Sequence, residues 1–312
     1  MPDPRDPRPV LSLGHSPDPD DVFMWWPITG MLDPADPSRV ERPPVLDTGR
    51  FRYAGVPADI SVLNRRAAEA ADLEITALSI ATYARVHRRY ALTACGSSIG
   101  VGYGPRVVAR QDSRLTPANF ATQITAPGKR IAVPGRGTSA FLVLSMMVRA
   151  PFEVLEAPFD RIVEIVQRGE ADAGLLIHQS QLTFEDAGLR LLVDLGQWWQ
   201  EATGLPLPLG GNAIRRDLDD LHGPGACAEV ARTLDASIRY ALANRTESLA
   251  YAMRWAPEIN RDQADRYIDM YVNEFTLDAG EQGRQAIQRL IDEGARRGLC
   301  PDAGRVEFIG RP

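Results

Sequence analysis

Cysteine is scarce in this chain. Only Cys95, Cys227 and Cys300 occur in 312 residues, odd in number and far apart. That spacing argues against a disulfide framework and reads as ordinary reduced thiols. Histidine is almost as rare: His15, His87, His178 and His222, none at a zinc-like spacing to another His or Cys. No metal is therefore expected. Positive charge is not in excess. Lys plus Arg number 35 against 41 Asp plus Glu, a formal charge of -6. Nucleic-acid binding, which needs a basic face or stripe, is not expected, although one local cationic pocket is still compatible with the balance. No uninterrupted apolar run approaches the roughly 20 residues of a membrane span. The first nine residues are rich in Pro, Asp and Arg and lack the apolar segment of a secretory signal. The expectation is a cytoplasmic protein with no membrane span.

What is present is a globular composition, 44% hydrophobic and 24% charged. The length favours two domains over one. The most informative stretch runs from Gly169 to Phe184. Ala173 to Ile177 is a short apolar run with no alternating polar residues, which predicts a strand buried on both faces, as in a parallel sheet. His178 stands at its end. Ligands of open α/β sheets bind beyond the carboxyl ends of strands, so His178 is either a working acid–base group or a structural His satisfied by backbone.

Two more junctions have similar character. Asp72 to Leu78 predicts a strand and Ile80 to Val86 a helix, which places Thr76, Leu78 and Ser79 where a helix start offers free N–H groups to an anion. Arg130 to Pro134 predicts a strand and Phe141 to Val148 a helix, joined by Gly135-Arg136-Gly137-Thr138-Ser139-Ala140. Thr138 and Ser139 are thus candidate carboxylate ligands, or simply helix caps. Near the start, Gly14 to Asp21 predicts a loop entering a helix, with Asp20 or Asp21 as cap. Residues 31–50, with four prolines among charged residues, read as an exposed loop or insertion. Cys95 to Pro105 reads as a flexible Gly-rich crossover. Trp198-Trp199 and Leu205 to Gly211 read as a packed return crossover. Beyond about Asp217 the chain reads as helices over 226–244, 246–256, 261–273 and 281–298.

Strands alternating with helices give an α/β class with mostly parallel sheets. The two crossovers divide the chain into a discontinuous first lobe, 1–108 plus 212–312, and an inserted second lobe, 109–211. A hinged molecule with its ligand in the cleft between lobes is expected.

The ordered set Ser16-Pro17-Asp18-Pro19-Asp20-Asp21, Gly104-Pro105, Pro134 to Ala140, Ile177-His178-Gln179-Ser180, Asp194 to Trp199, Leu205 to Gly211 and Tyr271-Val272-Asn273 resembles the 1,4-dihydroxy-6-naphthoate synthase family of the futalosine route to menaquinone. The resemblance covers nearly the whole chain except about 31–50. It implies a two-lobed periplasmic-binding-protein-like (type II) fold with a helical C-terminal region, turned into a cytoplasmic enzyme. The implied reaction converts cyclic dehypoxanthinylfutalosine to 1,4-dihydroxy-6-naphthoate. By motif, His178 is the implied proton acceptor, while Thr76, Leu78, Ser79, Thr138 and Ser139 are the implied substrate-binding residues. Asp18 and Asp20 stand where the family commonly has Cys and Asn, and Gln179, Gln181 and Leu182 where it commonly has Glu, Arg and Phe.

The expected activity is a cofactor-independent carbon–carbon lyase acting on a small aromatic carboxylate. A base removes a proton, a carbon–carbon bond breaks, and aromatisation supplies driving force. Two alternatives stand beside it: a solute-binding protein of the same fold taking a small carboxylate, and the sister chorismate dehydratase, which the His-Gln-Ser and Trp-Trp segments fit less well.

Overall fold

The computed structural model describes residues 6–310. Its strands form two principal sheets. The first has seven strands, ordered Phe308–Ile309, Tyr90–Thr93, Leu207–Arg215, Ile75–Ser79, Val10–His15 and Arg52–Pro57, with Ser98–Gly100 also pairing along Leu207–Arg215. The second has five, ordered Glu153–Glu156, Arg130–Val133, Ala173–Leu176, Arg106–Arg110 and Leu189–Asp194. Neither sheet is wholly parallel. Leu207–Arg215 runs antiparallel to its neighbours in the first, and Arg106–Arg110 does so in the second. These are the strands that follow each crossing of the chain, so each enters its sheet against the prevailing direction. They also move the crossings. Both strands belong whole to one sheet, whereas cuts at 108/109 and 211/212 would divide them.

Gly104 and Gly196 explain how the crossing is packed. A Cβ on Gly196 would lie 2.0 Å from the backbone carbon and oxygen of Tyr103, and one on Gly104 would lie 2.8 Å from the Gly196 nitrogen. The Leu195 N–H closes the contact on Pro105 O at 2.9 Å. Gly104 thus permits a close approach of two backbones, not the flexible crossover expected for 95–105, which also contains the strand Ser98–Gly100. The Trp-Trp segment is a helix, Leu195–Thr203. Its Trp199 is buried and donates from Nε1 to Pro206 O at 3.2 Å.

Helix Pro19–Thr29 is buried nearly all round through Val22, Phe23, Met24, Trp25, Trp26 and Ile28. Pro at its first position suits the fixed φ of that ring. Trp26 Nε1 reaches Ser248 Oγ at 2.9 Å and ties this helix to the C-terminal helices. Residues 31–50 are only partly a loop: Met31–Asp33 and Asp36–Arg42 form an antiparallel hairpin. Proline is tolerated there because the hairpin stands apart from the main sheets and needs few ladder bonds. The longer helices of the C-terminal region are Ala226–Ala243, Arg245–Ala252, Arg261–Tyr271 and Gly280–Arg296. The last of these packs in one apolar cluster with both Ile80–Val86 and Ser139–Val148, so the two sheets share a continuous core at that side of the molecule. No helix among the described residues is long and apolar enough to cross a membrane.

Candidate functional site

A cavity of about 120 Å³ opens between the carboxyl ends of Val10–His15 and Ile75–Ser79 on one side and Ala173–Leu176 on the other. His178, Leu78, Ser79, Thr138 and Ser139 all line it. Thr76 does not. It is fully buried in its strand, and its hydroxyl donates to Ala77 O at 3.0 Å.

His178 follows a strand whose four residues are all buried. Its φ is +61°, the left-handed region, which costs a non-glycine residue about 1–2 kcal/mol. That backbone turn carries the ring toward the first sheet. There Nδ1 meets Oδ2 of Asp18, while the edge of the Phe159 ring packs against the imidazole with centroids 4.3 Å apart. Nε2 is buried and has no protein partner. Burial works against a charged imidazole here. The Asp18 carboxylate, through its charge and its hydrogen bond, aided by Asp59 and Asp20, more than offsets it and holds the His178 pKa above the ordinary 6.5. His15, the other histidine nearby, is buried with Nδ1 2.7 Å from Ser16 O and does not line the cavity. Burial lowers its pKa to about 4.

Asp18, not Asp20 or Asp21, is the N-cap residue of the first helix, and its side chain makes no capping bond. An N-cap aspartate ordinarily accepts from the helix's first N–H groups. Asp18 instead accepts from Ser16 Oγ at 2.6 Å and turns to His178. Asp20 and Asp21 follow in the first turn and also line the cavity. Burial, then the charges of Asp21 and Asp18, push the Asp20 carboxyl well above the usual carboxylate range. Burial raises Asp21 to about 7, against the stabilising hydrogen bond from the Ser16 N–H at 2.6 Å. Burial, with the nearby Asp20 and Asp18, also keeps the Tyr267 phenol neutral. Among the residues lining the cavity there is no Lys or Arg, so a bound anion has only N–H groups, hydroxyls and His178 to meet.

The hydroxyl junctions are mostly occupied by the protein itself. Thr138 Oγ1 accepts from the Phe141 N–H at 3.1 Å and donates to Gly135 O at 2.9 Å, the capping reading of the sequence. Ser139 Oγ accepts from the Ala81 N–H at 3.2 Å and donates to Leu209 O at 2.6 Å. Ser79 is tied through both Oγ and N–H to the Asn64 amide, at 3.0 and 2.9 Å. What the Thr138–Ser139 junction still offers is backbone: the N–H groups of a helix's first turn lack intrahelical acceptors, and Ser139 and Ala140 occupy that turn on the cavity wall.

Several lining residues were not singled out from sequence as site residues. Tyr271 donates from its hydroxyl to Gln181 Oε1 at 3.1 Å. Gln181 is buried, and its N–H reaches His178 O at 3.2 Å. Gln179 turns outward instead, to Glu258 at 2.6 Å. Asn212 is buried with Oδ1 lacking a protein partner, and Ser97 is buried beside it. The sequence signals for Asp18, Gln181 and Tyr271 were that each falls within a segment of the family pattern, the first two as departures from it.

Comparison with known proteins agrees with this architecture. A family model described as "Menaquinone biosynthesis" matches residues 11–296. A 1,4-dihydroxy-6-naphthoate synthase of Thermus thermophilus is 39% identical over 300 residues, 96% of this chain and 99% of the relative. A protein of the same name from Streptomyces coelicolor is 34% identical over 301 residues, 95% of this chain and 96% of the relative. A crystal structure of an Archaeoglobus fulgidus protein superposes with a TM-score of 0.78 at 39% identity, covering 93% of this chain and 98% of that one. The alkanesulfonate-binding protein of Xanthomonas axonopodis pv. citri, bound to MOPS, superposes with a TM-score of 0.67 at 14% identity, covering 96% and 98%. The fold is periplasmic-binding-protein-like.

Proposed function

The chain belongs to the menaquinone-biosynthesis family matched over residues 11–296, and on that premise we propose that it is a cofactor-independent carbon–carbon lyase. Its substrate is cyclic dehypoxanthinylfutalosine, its product 1,4-dihydroxy-6-naphthoate, and His178 is its general base. The observation that carries this reading is the buried, unpartnered Nε2 of His178 on the wall of a cavity between two sheets. A neutral imidazole there can take a proton from substrate carbon. The C–H electron pair enters the ring as it becomes aromatic, and the pair of the broken carbon–carbon bond leaves with the sugar remnant, taken up by that remnant's carbonyl as an enolate. Such a base contributes about 10² to 10⁴ in rate.

The substrate carboxylate is assigned to the first turn of Ser139–Val148, where backbone N–H groups and the helix dipole favour an anion. With no cationic side chain on the wall, the Asp18 carboxylate would repel a substrate carboxylate placed next to it and so set its orientation. Incubation of the purified protein with cyclic dehypoxanthinylfutalosine, followed by chromatography for the naphthoate, tests the reading. Product forms if it holds. Absence of product from folded protein at saturating substrate overturns it, and parallel consumption of chorismate would place the activity with the dehydratase instead.

A further inference from the structure

We propose that Asp18 is the positioning residue of the base: its carboxylate holds Nδ1 of His178 so that Nε2 is the nitrogen presented to substrate. The inference rests on the reading of His178 as the base and adds the group through which that base is oriented. The two residues come from different sheets. Asp18 ends the loop after Val10–His15, and His178 follows the strand Ala173–Leu176 of the other sheet. Both line the cavity, and their contact assembles the base from two parts of the fold.

Three observations converge on this pairing. Asp18 is 4% exposed and occupies an N-cap position without using its side chain for the cap. Its Oδ2 is fixed from the other side by Ser16 Oγ at 2.6 Å, which leaves the carboxylate one direction toward Nδ1. His178 adopts a left-handed backbone, and Phe159 packs on its ring. Each is locally unfavourable or restrictive by itself, and together they fix one ring orientation. A carboxylate on Nδ1 fixes the neutral tautomer with its proton on that nitrogen, so the lone pair is on Nε2. When Nε2 accepts the substrate proton, the new positive charge sits beside Asp18. Other titratable groups around the imidazole are Asp20 and Asp21 of the first helical turn, Asp59 before helix Ile60–Glu69, and the phenols of Tyr267 and Tyr271. Phe159 on the remaining side is uncharged.

The test is Asp18→Asn, which keeps size and an acceptor but removes the charge. Nitrogen NMR of the ligand-free protein, selectively labelled at His, reads the tautomer and titration midpoint of His178 without reference to turnover. The expected result is a midpoint displaced to lower pH and a mixed tautomer. In steady-state assays the acidic limb of the kcat/KM profile moves to lower pH, and kcat falls at least tenfold with KM changed less than about threefold. Ser16→Ala, which only loosens Asp18, gives smaller changes in the same direction and serves if Asp18→Asn does not fold. An unchanged tautomer and midpoint in whichever variant folds overturn the inference, even if turnover falls. If instead both move but His178→Asn turns over normally, it is the assignment of His178 as base that has failed.

Discussion

Ser139 Oγ accepts the Ala81 N–H at 3.2 Å and at the same time donates to Leu209 O at 2.6 Å, so one hydroxyl at the start of helix Ser139–Val148 is bonded both to a strand of the first sheet and to the helix Ile80–Val86 that follows another of its strands. Ser139→Ala leaves a buried N–H and a buried carbonyl without partners, a penalty of about 1–3 kcal/mol. The melting temperature should fall by a few degrees. KM should rise as well, because the helix start assigned to the substrate carboxylate loses its anchor. Calorimetry and steady-state kinetics check the pair of effects. A fall in stability with KM unchanged would remove this helix start from substrate binding.

Thr138 should behave differently. Its hydroxyl is engaged on both sides by the cap, so Thr138→Ala costs about 1 kcal/mol of stability, or about 1–2 °C, while Thr138→Ser retains the cap. KM stays near the wild-type value in both. A raised KM in the serine variant would show that the threonine methyl meets substrate directly.

Asp21 gives a pH signature. Its folded-state pKa is raised from 3.8 to about 7, so between these values the folded state binds more protons than the unfolded state. Stability contributed by that proton is full below the unfolded pKa and is lost as pH rises through about 7. Asp21→Asn retains an acceptor for the Ser16 N–H and removes the titration. The melting temperature of the variant relative to wild type should therefore climb from pH 5 to pH 8 and level off above. A difference that stays flat across that range would show that Asp21 ionises freely in the folded protein.

How far this could be read from sequence depended on whether the determinant was local. The burial of Ala173 to Leu176 and the position of His178 at its end follow from a run of apolar side chains and were legible. So were the cap at Thr138 and the C-terminal helices, to within a few residues at most ends. The partner of His178 was not: Asp18 and His178 are far apart in the chain and meet only because two sheets face one cavity. Locally, Asp18 reads as turn chemistry. The helix Leu195–Thr203 was hidden by Gly196, a poor helix former whose presence answers to the backbone of Tyr103, a tertiary demand that overrides propensity. The hairpin of 31–42 was masked by prolines and charges that an isolated two-stranded ribbon tolerates. Thr76 looked available at a strand end, but only the fold reveals that its side chain is enclosed.

The central claim is that Nε2 of His178 takes the proton. Asparagine is the substitution of choice because it tolerates the left-handed backbone at this position and cannot act as a base near neutral pH. The decisive measurement is single-turnover conversion of cyclic dehypoxanthinylfutalosine by His178→Asn, normalised to folded protein and compared with wild type. The account predicts a rate lower by about 10² to 10⁴ with product still bound and the melting temperature within a few degrees. A variant that turns over at close to the wild-type rate would contradict it.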